Sequence, residues 1–230
     1  ALLGDIHGNH LALEAVLAAA RKHGVERLLV TGDLVGYYFW PKEALELLSP
    51  WTSFVVRGNH EDMLAAARAD PTFLLHIDAR YGTGLRSAIE QLGAQQLDQL
   101  CALPHPLELV IDGCRILLCH GAPWDVDQYV YPDATPELLD RCATRDFDLV
   151  VLGHTHYPMQ HKISGRTLVV NPGSAWQPRN RKPGAHWALF DTASREVTLY
   201  CQAYNAEFVM AESRRRHPNI PYLAKVLERT

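Results

Sequence analysis

Short apolar runs that each stop at a polar, glycine-bearing turn constrain the fold more than any other feature of this chain of 230 residues. Each run has the length and composition of a buried strand. Six of them end in such turns, namely residues 1–3, 27–30, 53–56, 115–118, 149–152 and 168–170. Polar side chains are therefore expected at the C-terminal end of each strand, where ligands gather in open α/β sheets.

Helical patterns at residues 11–22 and 41–48 separate the early runs and predict strand-helix-strand crossovers in a largely parallel sheet. In the second half the runs lie closer together, and residues 185–191 and 196–201 suggest a second sheet with antiparallel neighbours. The predicted fold class is α/β, a four-layer α-β-β-α sandwich of two mixed sheets with helices outside. A metal site is expected at the C-terminal ends of the strands.

The length of the chain fits one domain, which we predict over residues 1–230. Residues 62–104 lack strand character and carry helix-spaced apolar residues, so we interpret them as a helical insert. Packing is the favoured role of this insert, and a cap that selects substrates is the alternative. Residues 212–230 are predicted to form a C-terminal helical appendage.

Composition and charge limit the kinds of partner that the protein would bind and the cellular compartment in which it would work. The net charge of −4 argues against a general nucleic-acid surface, and the basic clusters at residues 179–182 and 214–216 are interpreted as solvated surface charge. No apolar run approaches the roughly 20 residues of a membrane helix, and no secretory signal is visible. Five scattered cysteines without a Cys-x-x-Cys pair favour a reduced, cytoplasmic setting.

Seven side chains with oxygen or nitrogen donors follow the predicted strands: Asp5, His7, Asp33, Asn59, His120, His154 and His156. Any one of them alone would commonly be a hydrogen-bonded loop residue. The spacing of Asp5-x-His7 and His154-x-His156 points both side chains of each pair to one side of an extended segment. Donors of this kind without thiolate favour Mn²⁺, with Fe, Zn²⁺, Co²⁺ or Ni²⁺ as alternatives. Seven donors exceed the needs of one small ion, so we predict two ions bridged by one carboxylate, an arrangement used to hydrolyse phosphate esters.

Five ordered motifs resemble those of the calcineurin-like metallophosphoesterases, in particular the small single-domain bacterial phosphoesterases and phosphodiesterases. They are Gly4-Asp5-x-His7-Gly8, Gly32-Asp33, Gly58-Asn59-His60-Glu61, His120-Gly121 and Gly153-His154-x-His156. The resemblance implies a first metal ion held by Asp5, His7 and His156, and a second held by Asn59, His120 and His154. It also implies that Asp33 bridges the ions and that His60 acts near the leaving group, oriented by Asp33 or a neighbouring acid.

The predicted reaction is hydrolysis of a phosphomonoester or phosphodiester, on a small-molecule or nucleotide substrate, by a hydroxide that bridges the two ions. Asp33 and His60 are the predicted catalytic residues, and His60 would protonate the departing oxygen. Asn59 is also a candidate substrate contact. Arg57 is a candidate phosphate contact, with a surface or structural role weighted equally. Tyr37 begins an aromatic run, residues 37–40, that would stack a nucleobase, although core packing is the favoured interpretation.

Two departures from the resemblance bear on the substrate. Protein serine/threonine phosphatases of the superfamily carry an Asp-Arg pair where this chain has Gly36-Tyr37-Tyr38, so a phosphoprotein substrate is not expected. Small bacterial phosphodiesterases often carry cysteine in place of His60.

Three alternative functions stay open: a nuclease acting on DNA or RNA, a non-catalytic protein-interaction scaffold that binds metal, and a redox or storage metalloprotein. A small phosphorylated molecule is the expected partner, and polymeric nucleic acid is not.

Overall fold

Two five-stranded sheets flanked by helices make up the protein in its computed structural model, which describes residues 1–143, 146–163 and 167–228. The strands are β1 (Leu2–Leu3), β2 (Arg27–Val30), β3 (Thr52–Val55), β4 (Leu107–Ile111), β5 (Cys114–Leu118), β6 (Leu149–Val151), β7 (Met159–Ile163), β8 (Thr167–Asn171), β9 (Ala185–Asp191) and β10 (Glu196–Gln202). The helices are α1 (His10–Lys22), α2 (Pro41–Leu48), α3 (Asn59–Ala69), α4 (Pro71–Tyr81), α5 (Gly84–Gln91), α6 (Ala94–Cys101), α7 (Pro136–Cys142), α8 (Ala206–Arg216) and α9 (Tyr222–Lys225), followed by a 3₁₀ turn at Val226–Glu228. The predicted α/β class with two mixed sheets is confirmed.

The first sheet has the strand order β10-β9-β1-β2-β3. Strands β1, β2 and β3 are parallel and are connected through α1 and α2, as the helical patterns predict. The assignment of residues 185–191 and 196–201 to a second sheet is wrong, because β9 pairs antiparallel with β1 at Leu2↔Ala188 and β10 pairs with β9. Strand β1 spans two residues and pairs with β2 along one edge. Strand β9 covers its other edge, which would otherwise be unpaired.

The second sheet has the order β4-β5-β6-β8-β7. Its three central strands are parallel, and β4 and β7 add antiparallel edges. Both edge strands are absent from the sequence prediction. They alternate buried or half-buried residues with exposed ones along most of their length, so neither presents the continuous apolar run that marks a central strand.

Three apolar interfaces stack these elements in four layers. Leu29 of the first sheet and Val151 of the second belong to the cluster between the sheets. Leu13 of α1 packs with residues of the outer face of the first sheet, and Leu139 of α7 packs with Val150 on the outer face of the second. The order α-β-β-α follows from these contacts and leaves the carboxyl ends of the parallel strands free to carry loops.

The insert predicted at residues 62–104 consists of α3 to α6, with α3 beginning earlier, at Asn59. Helix α5 packs directly on the loop after β2: a Cβ atom added to Gly84 would lie 2.4 Å from the backbone of Gly36 and of Tyr37. This close contact is a packing role. Selection of substrates by the insert stays a prediction.

The C-terminal helices begin at Ala206, before the predicted residue 212, and residues 229 and 230 lie outside the described part of the chain. They pack on the aromatic run, where Tyr38 and Phe39 share a buried cluster with Val209 and Leu223. The Tyr38 hydroxyl donates to the Leu223 carbonyl at 2.7 Å. Within the described ranges, no helix combines the length and the apolar character needed to cross a membrane.

Candidate metal centre

The loops after five strands bring the seven predicted ligands to one end of the sandwich. Six of their side chains are buried, and that of Asn59 is half-buried. Asp5 and His7 follow β1, Asp33 follows β2, Asn59 follows β3, His120 follows β5, and His154 and His156 follow β6. Both sheets therefore contribute to one site.

Asp5, His7 and His156 form the first group, with one donor atom from each lying within 4.8 Å of the others. His156 Nε2 is 3.4 Å from Asp5 Oδ1. Each imidazole is fixed from behind: His7 Nδ1 lies 3.1 Å from the Val35 carbonyl oxygen, and His156 Nδ1 lies 3.1 Å from that of Gln177. These backbone contacts direct each Nε2 inward, as is common for metal-bound histidine.

The second group surrounds His120 Nε2, which is 3.0 Å from Asn59 Oδ1, 3.1 Å from His154 Nδ1 and 3.4 Å from Asp33 Oδ2. Four donor atoms thus converge on one point. His120 Nδ1 lies 2.6 Å from the Thr31 carbonyl oxygen, which fixes the ring in this orientation.

Asp33 lies between the two groups. Its Oδ2 atom is 3.4 Å from His7 Nε2 and 3.4 Å from His120 Nε2, while its Oδ1 atom accepts a hydrogen bond of 2.9 Å from the backbone N–H of His60. A single carboxylate oxygen therefore faces both groups, in the place that the sequence analysis gives to the bridging ligand.

The donor atoms at the centre fit divalent cations. Asp5 Oδ2, His7 Nε2 and His154 Nε2 are buried and have no hydrogen-bond partner among the described residues. Such a buried, unsatisfied polar atom costs on the order of 1–3 kcal/mol. Carboxylate and neutral imidazole are ligands for Mn²⁺, Fe and Zn²⁺, and an ion held by the first group would satisfy Asp5 and His7 together.

The protonation states suit metal binding. Burial lowers the pKa of His154 to about 4 and raises the pKa of Asp5 to about 7. Burial also opposes a charge on His120, but the carboxylates of Asp33 and Asp5 outweigh it and raise the pKa of His120 to about 10. Without a cation, the His120 proton balances these carboxylates; a bound metal ion would take over that charge and release the proton.

Backbone conformation singles out the same residues. Five of the seven ligands adopt a positive φ angle: 49° at Asp5, 49° at His7, 52° at Asp33, 65° at His154 and 60° at His156. This left-handed region is unfavourable for residues other than glycine, at roughly 1–3 kcal/mol each, and such residues concentrate at functional sites. The strain lies where the ligand chemistry lies.

Glu61 joins the loops after β2 and β3. Its buried carboxylate accepts hydrogen bonds from the backbone N–H groups of Asp33 at 2.9 Å, Leu34 at 2.8 Å and Gly58 at 2.8 Å. These bonds fix the backbone that carries Asp33. Glu61 belongs to the third sequence motif, but no role was predicted for it by name.

Glu61→Ala is expected to lower the free energy of unfolding by roughly 3 kcal/mol or more, because three buried N–H groups lose their acceptor. Urea unfolding followed by circular dichroism measures the change. Glu90→Ala, at an exposed position of α5, is the matched control and is expected to change stability by less than about 0.5 kcal/mol. Equal losses in the two variants would contradict the joining role of Glu61.

His60 is buried beside the ligands. Its ring centroid is 4.4 Å from that of His7 and 4.9 Å from that of Tyr37. Its Nδ1 atom has no described hydrogen-bond partner and faces Gly36, where an added Cβ atom would lie 2.0 Å away. Gly36, with φ of 90°, therefore leaves the room that the imidazole occupies. The ring also groups with His7 and Asp33, so a metal-binding role must be tested alongside an acid role.

A cavity of about 70 Å³ adjoins the metal groups. Its walls include the ligands His7, Asp33, Asn59, His154 and His156, together with Tyr37, His60, Met63, Tyr81, Tyr129 and Arg179. Met63 and Tyr81 come from α3 and α4, so the helical insert forms part of the wall.

The arginine in this cavity is Arg179 and not Arg57. Arg57 Nε lies 2.8 Å from Asp62 Oδ1 and is outside the cavity lining. Arg179 is half-buried, its backbone N–H donates to the His156 carbonyl at 3.2 Å, and no carboxylate of the described residues pairs with it within 4 Å. The interpretation of residues 179–182 as solvated surface charge is therefore wrong for Arg179.

The turn after β8 was predicted but given no role. The Asn171 side chain donates to the Gly153 carbonyl at 2.7 Å and to Thr155 Oγ1 at 3.0 Å, which positions the loop that carries His154. The Ser174 hydroxyl donates to the Asp5 carbonyl at 2.9 Å. The sequence signal for this positioning role is that the polar residues Asn171 and Ser174 follow the apolar run at residues 168–170.

The aromatic run is divided by the structure. Tyr38 and Phe39 are fully buried, so core packing holds for them and they present no surface to a nucleobase. Tyr37 is 8% exposed and lines the inner wall of the cavity, with its ring centroid 5.0 Å from that of Trp176. Stacking of a base against Tyr37 would require the ring to leave these contacts.

An α/β sandwich of two sheets, with buried carboxylates and imidazoles gathered at the strand ends, has the donor groups of a metal-binding protein of the α/β class. The chain belongs to the calcineurin-like phosphoesterase superfamily, because residues 1–195 match the family described as the calcineurin-like phosphoesterase superfamily domain. The resemblance seen in the sequence motifs is thereby confirmed.

Three individual proteins are similar to this chain over most of its length. The uncharacterized protein MJ0912 of Methanocaldococcus jannaschii is 26% identical over 222 residues, covering 89% of this chain and 87% of the relative. The crystal structure of a metallophosphoesterase from Sphaerobacter thermophilus is similar with a TM-score of 0.77 and 26% identity, over 99% of this chain and 97% of that one. The hypothetical protein PH1004 of Pyrococcus horikoshii OT3 shares the fold with a TM-score of 0.85 and 23% identity, over 98% of this chain and 96% of that one.

Proposed function

We propose that this protein hydrolyses phosphate esters of small molecules with two divalent metal ions. Mn²⁺ is the favoured metal for both. The observation that carries the proposal is the convergence of two ligand groups on a shared carboxylate, beside a cavity lined by an arginine that no carboxylate of the described residues pairs with. We place the reaction in the cytoplasm, in keeping with five cysteines that form no disulfide.

Each ligand has one place in this proposal. Asp5, His7 and His156 would hold one ion, Asn59, His120 and His154 would hold the other, and Asp33 would contact both. Ions bound there would supply an activated water molecule and would neutralise charge on the phosphate oxygens.

The remaining wall residues act on the ester itself. Arg179 contacts a non-bridging phosphate oxygen, because its guanidinium lines the cavity without a carboxylate partner among the described residues. Water attacks phosphorus opposite the leaving oxygen, the ester P–O bond breaks, and His60 gives its proton to the departing oxygen. Arg57 has no part in this arrangement, since Asp62 holds it outside the cavity.

A substrate panel tests the proposal. Phosphomonoesters, phosphodiesters, cyclic nucleotides, dinucleoside polyphosphates and oligonucleotides are offered to the Mn²⁺-loaded protein, and released phosphate or alcohol is quantified. Turnover of small esters above that of oligonucleotides is expected. Oligonucleotide cleavage with a steep salt dependence would favour the nuclease, and no turnover of any ester would favour a scaffold or a storage protein.

Asp33→Asn is expected to lower the metal content below two ions per chain and to impair both sites. The amide keeps an oxygen that can accept the His60 N–H bond, but it loses the charge that faces both ligand groups. Elemental analysis after dialysis measures the content. Asp5→Asn is expected to affect one site more than the other, and Asp140→Asn, at an exposed position of α7, is the neutral control. Two ions per chain and a near-normal rate in Asp33→Asn would refute the bridging role.

A further inference from the structure

Two exposed tyrosines continue the wall of the cavity outward. The ring of Tyr129 lies against that of His154, with centroids 4.0 Å apart, and the ring of Tyr131 is nearly parallel to that of Tyr129, at 8° and 5.6 Å between centroids. Tyr157 contacts the edge of the Tyr131 ring at 5.8 Å. We call Tyr129 and Tyr131 the tyrosine pair.

Exposure separates the tyrosine pair from the other aromatic residues near the site. Tyr129 is 43% exposed and Tyr131 is 38% exposed, whereas Tyr37 is 8% exposed. Aromatic surface left open beside a polar site is a place where a planar group gains from stacking. Their position next to His154 distinguishes these rings from other exposed aromatic residues such as Phe208, which lies on α8.

The loop that carries the tyrosine pair is held in place on both sides of the rings. The Gln128 side chain donates to the Tyr129 carbonyl at 2.9 Å, and the Ala134 backbone N–H donates to the Tyr131 carbonyl at 3.0 Å. The His161 ring nitrogen Nε2 lies 3.1 Å from the carbonyl oxygen of Pro132. A fixed platform costs little conformational entropy when a ligand binds.

Charges of both signs lie next to the platform: Arg179, which shares a side-chain hydrogen bond with Tyr129, and the carboxylate of Asp127, whose charge also acts on Tyr129. Arg179 lies beside Tyr129 on the cavity wall, so a phosphate at the metal ligands has a cation and an aromatic ring on the same side. Both rings are exposed and follow one another from His154, so aromatic surface lies within reach of a substituent on that phosphate. A phosphate joined to a flat aromatic group matches this order of contacts.

We propose that the tyrosine pair is a binding subsite for the nucleobase of a nucleotide-type ester, whose phosphate contacts Arg179. The subsite rests on the proposed function for its phosphate position and adds the chemical class of the substrate. Stacking of a base on an aromatic side chain contributes roughly 5- to 150-fold in affinity.

Calorimetric titration of the Mn²⁺-loaded protein with the phosphonate analogues of adenosine monophosphate and of glycerol 3-phosphate tests the subsite without turnover, because a P–C bond replaces the ester P–O bond in each analogue. The nucleotide is expected to bind roughly 5- to 150-fold more tightly, and Tyr131→Ala and Tyr131→Leu are expected to remove most of that difference. Tyr131→Phe, which keeps the ring, should preserve it. Arg179→Met should weaken both ligands, and Phe208→Ala, which removes an exposed aromatic ring on α8, should weaken neither.

The outcomes separate the subsite from the proposed function. Equal affinity for the two ligands, or equal losses for both in Tyr131→Ala, overturns the subsite even if phosphate esters are hydrolysed. A nucleotide preference that depends on the Tyr131 ring supports the subsite even if no ester is turned over, in which case the proposed function fails alone. Binding of neither ligand overturns the subsite as well.

Discussion

Chelation of divalent metal is expected to reduce ester hydrolysis to the level of a protein-free blank, and Mn²⁺ is expected to restore it. The reason lies in the wall of the cavity: among the described residues no thiol or serine hydroxyl lines it, and in the proposed mechanism its carboxylate and three of its four imidazoles serve as metal ligands and not as nucleophiles. Attack therefore depends on water made reactive by bound ions. Phosphate release before chelation, after chelation and after readdition of Mn²⁺ measures the effect.

Two controls keep this result interpretable. Circular dichroism of the stripped protein must show the native helix and strand content, and elemental analysis must show that metal is absent. Full activity in a folded, verified metal-free sample would refute the mechanism. Recovery with Zn²⁺ or Co²⁺ instead of Mn²⁺ would leave the mechanism intact and change only the assigned metal.

His60→Ala is expected to slow hydrolysis of a nucleotide ester by roughly 10²–10⁴-fold while the metal content stays unchanged. Burial lowers the pKa of the His60 imidazole, so the ring is neutral in the free protein at neutral pH. A bound phosphate anion favours the imidazolium form by Coulomb attraction and supplies the proton donor. Steady-state rates and elemental analysis of the same preparations test both parts.

The leaving group gives a sharper test of His60. A ribose oxygen needs a proton as it departs, whereas p-nitrophenolate leaves readily without one, so the p-nitrophenyl ester should lose far less rate. His76→Ala, at an exposed position of α4, is the matched control and should change neither rate. Equal losses on both esters would indicate phosphate binding or electrostatic stabilisation, and loss of an ion would make His60 a ligand.

The convergence of the candidate ligands was predictable from the sequence because each of them follows an apolar run. Parallel strands place their carboxyl ends at one edge, so Asp5, Asp33 and Asn59 had to lie close together once their strands were recognised. The runs at residues 27–30 and 149–152 differ from β2 and β6 by at most one residue. Local pattern and global topology agree at this end of the molecule.

Long-range pairing was beyond the reach of such patterns. Nothing local to residues 185–191 states that β9 joins β1, because the pairing depends on which sheet has an open edge. The role of Arg179 was hidden for a similar reason: in sequence it belongs to a basic cluster, and only the return of the chain past His156 brings it to the cavity. The tyrosine pair likewise could not be recognised as a candidate subsite from the sequence, because only the fold places the Tyr129 ring against that of His154.

Each ligand group draws on both sheets. Asp5 and His7 from the first sheet meet His156 from the second, and Asp33 from the first meets His120 and His154 from the second. Neither of these two groups is complete on one sheet in the described part of the chain, so the proposed site depends on the junction between the two sheets. Such a centre cannot be inherited or transplanted as a module smaller than the whole sandwich. The geometry of all seven candidate ligands therefore depends on the packing of one sheet against the other.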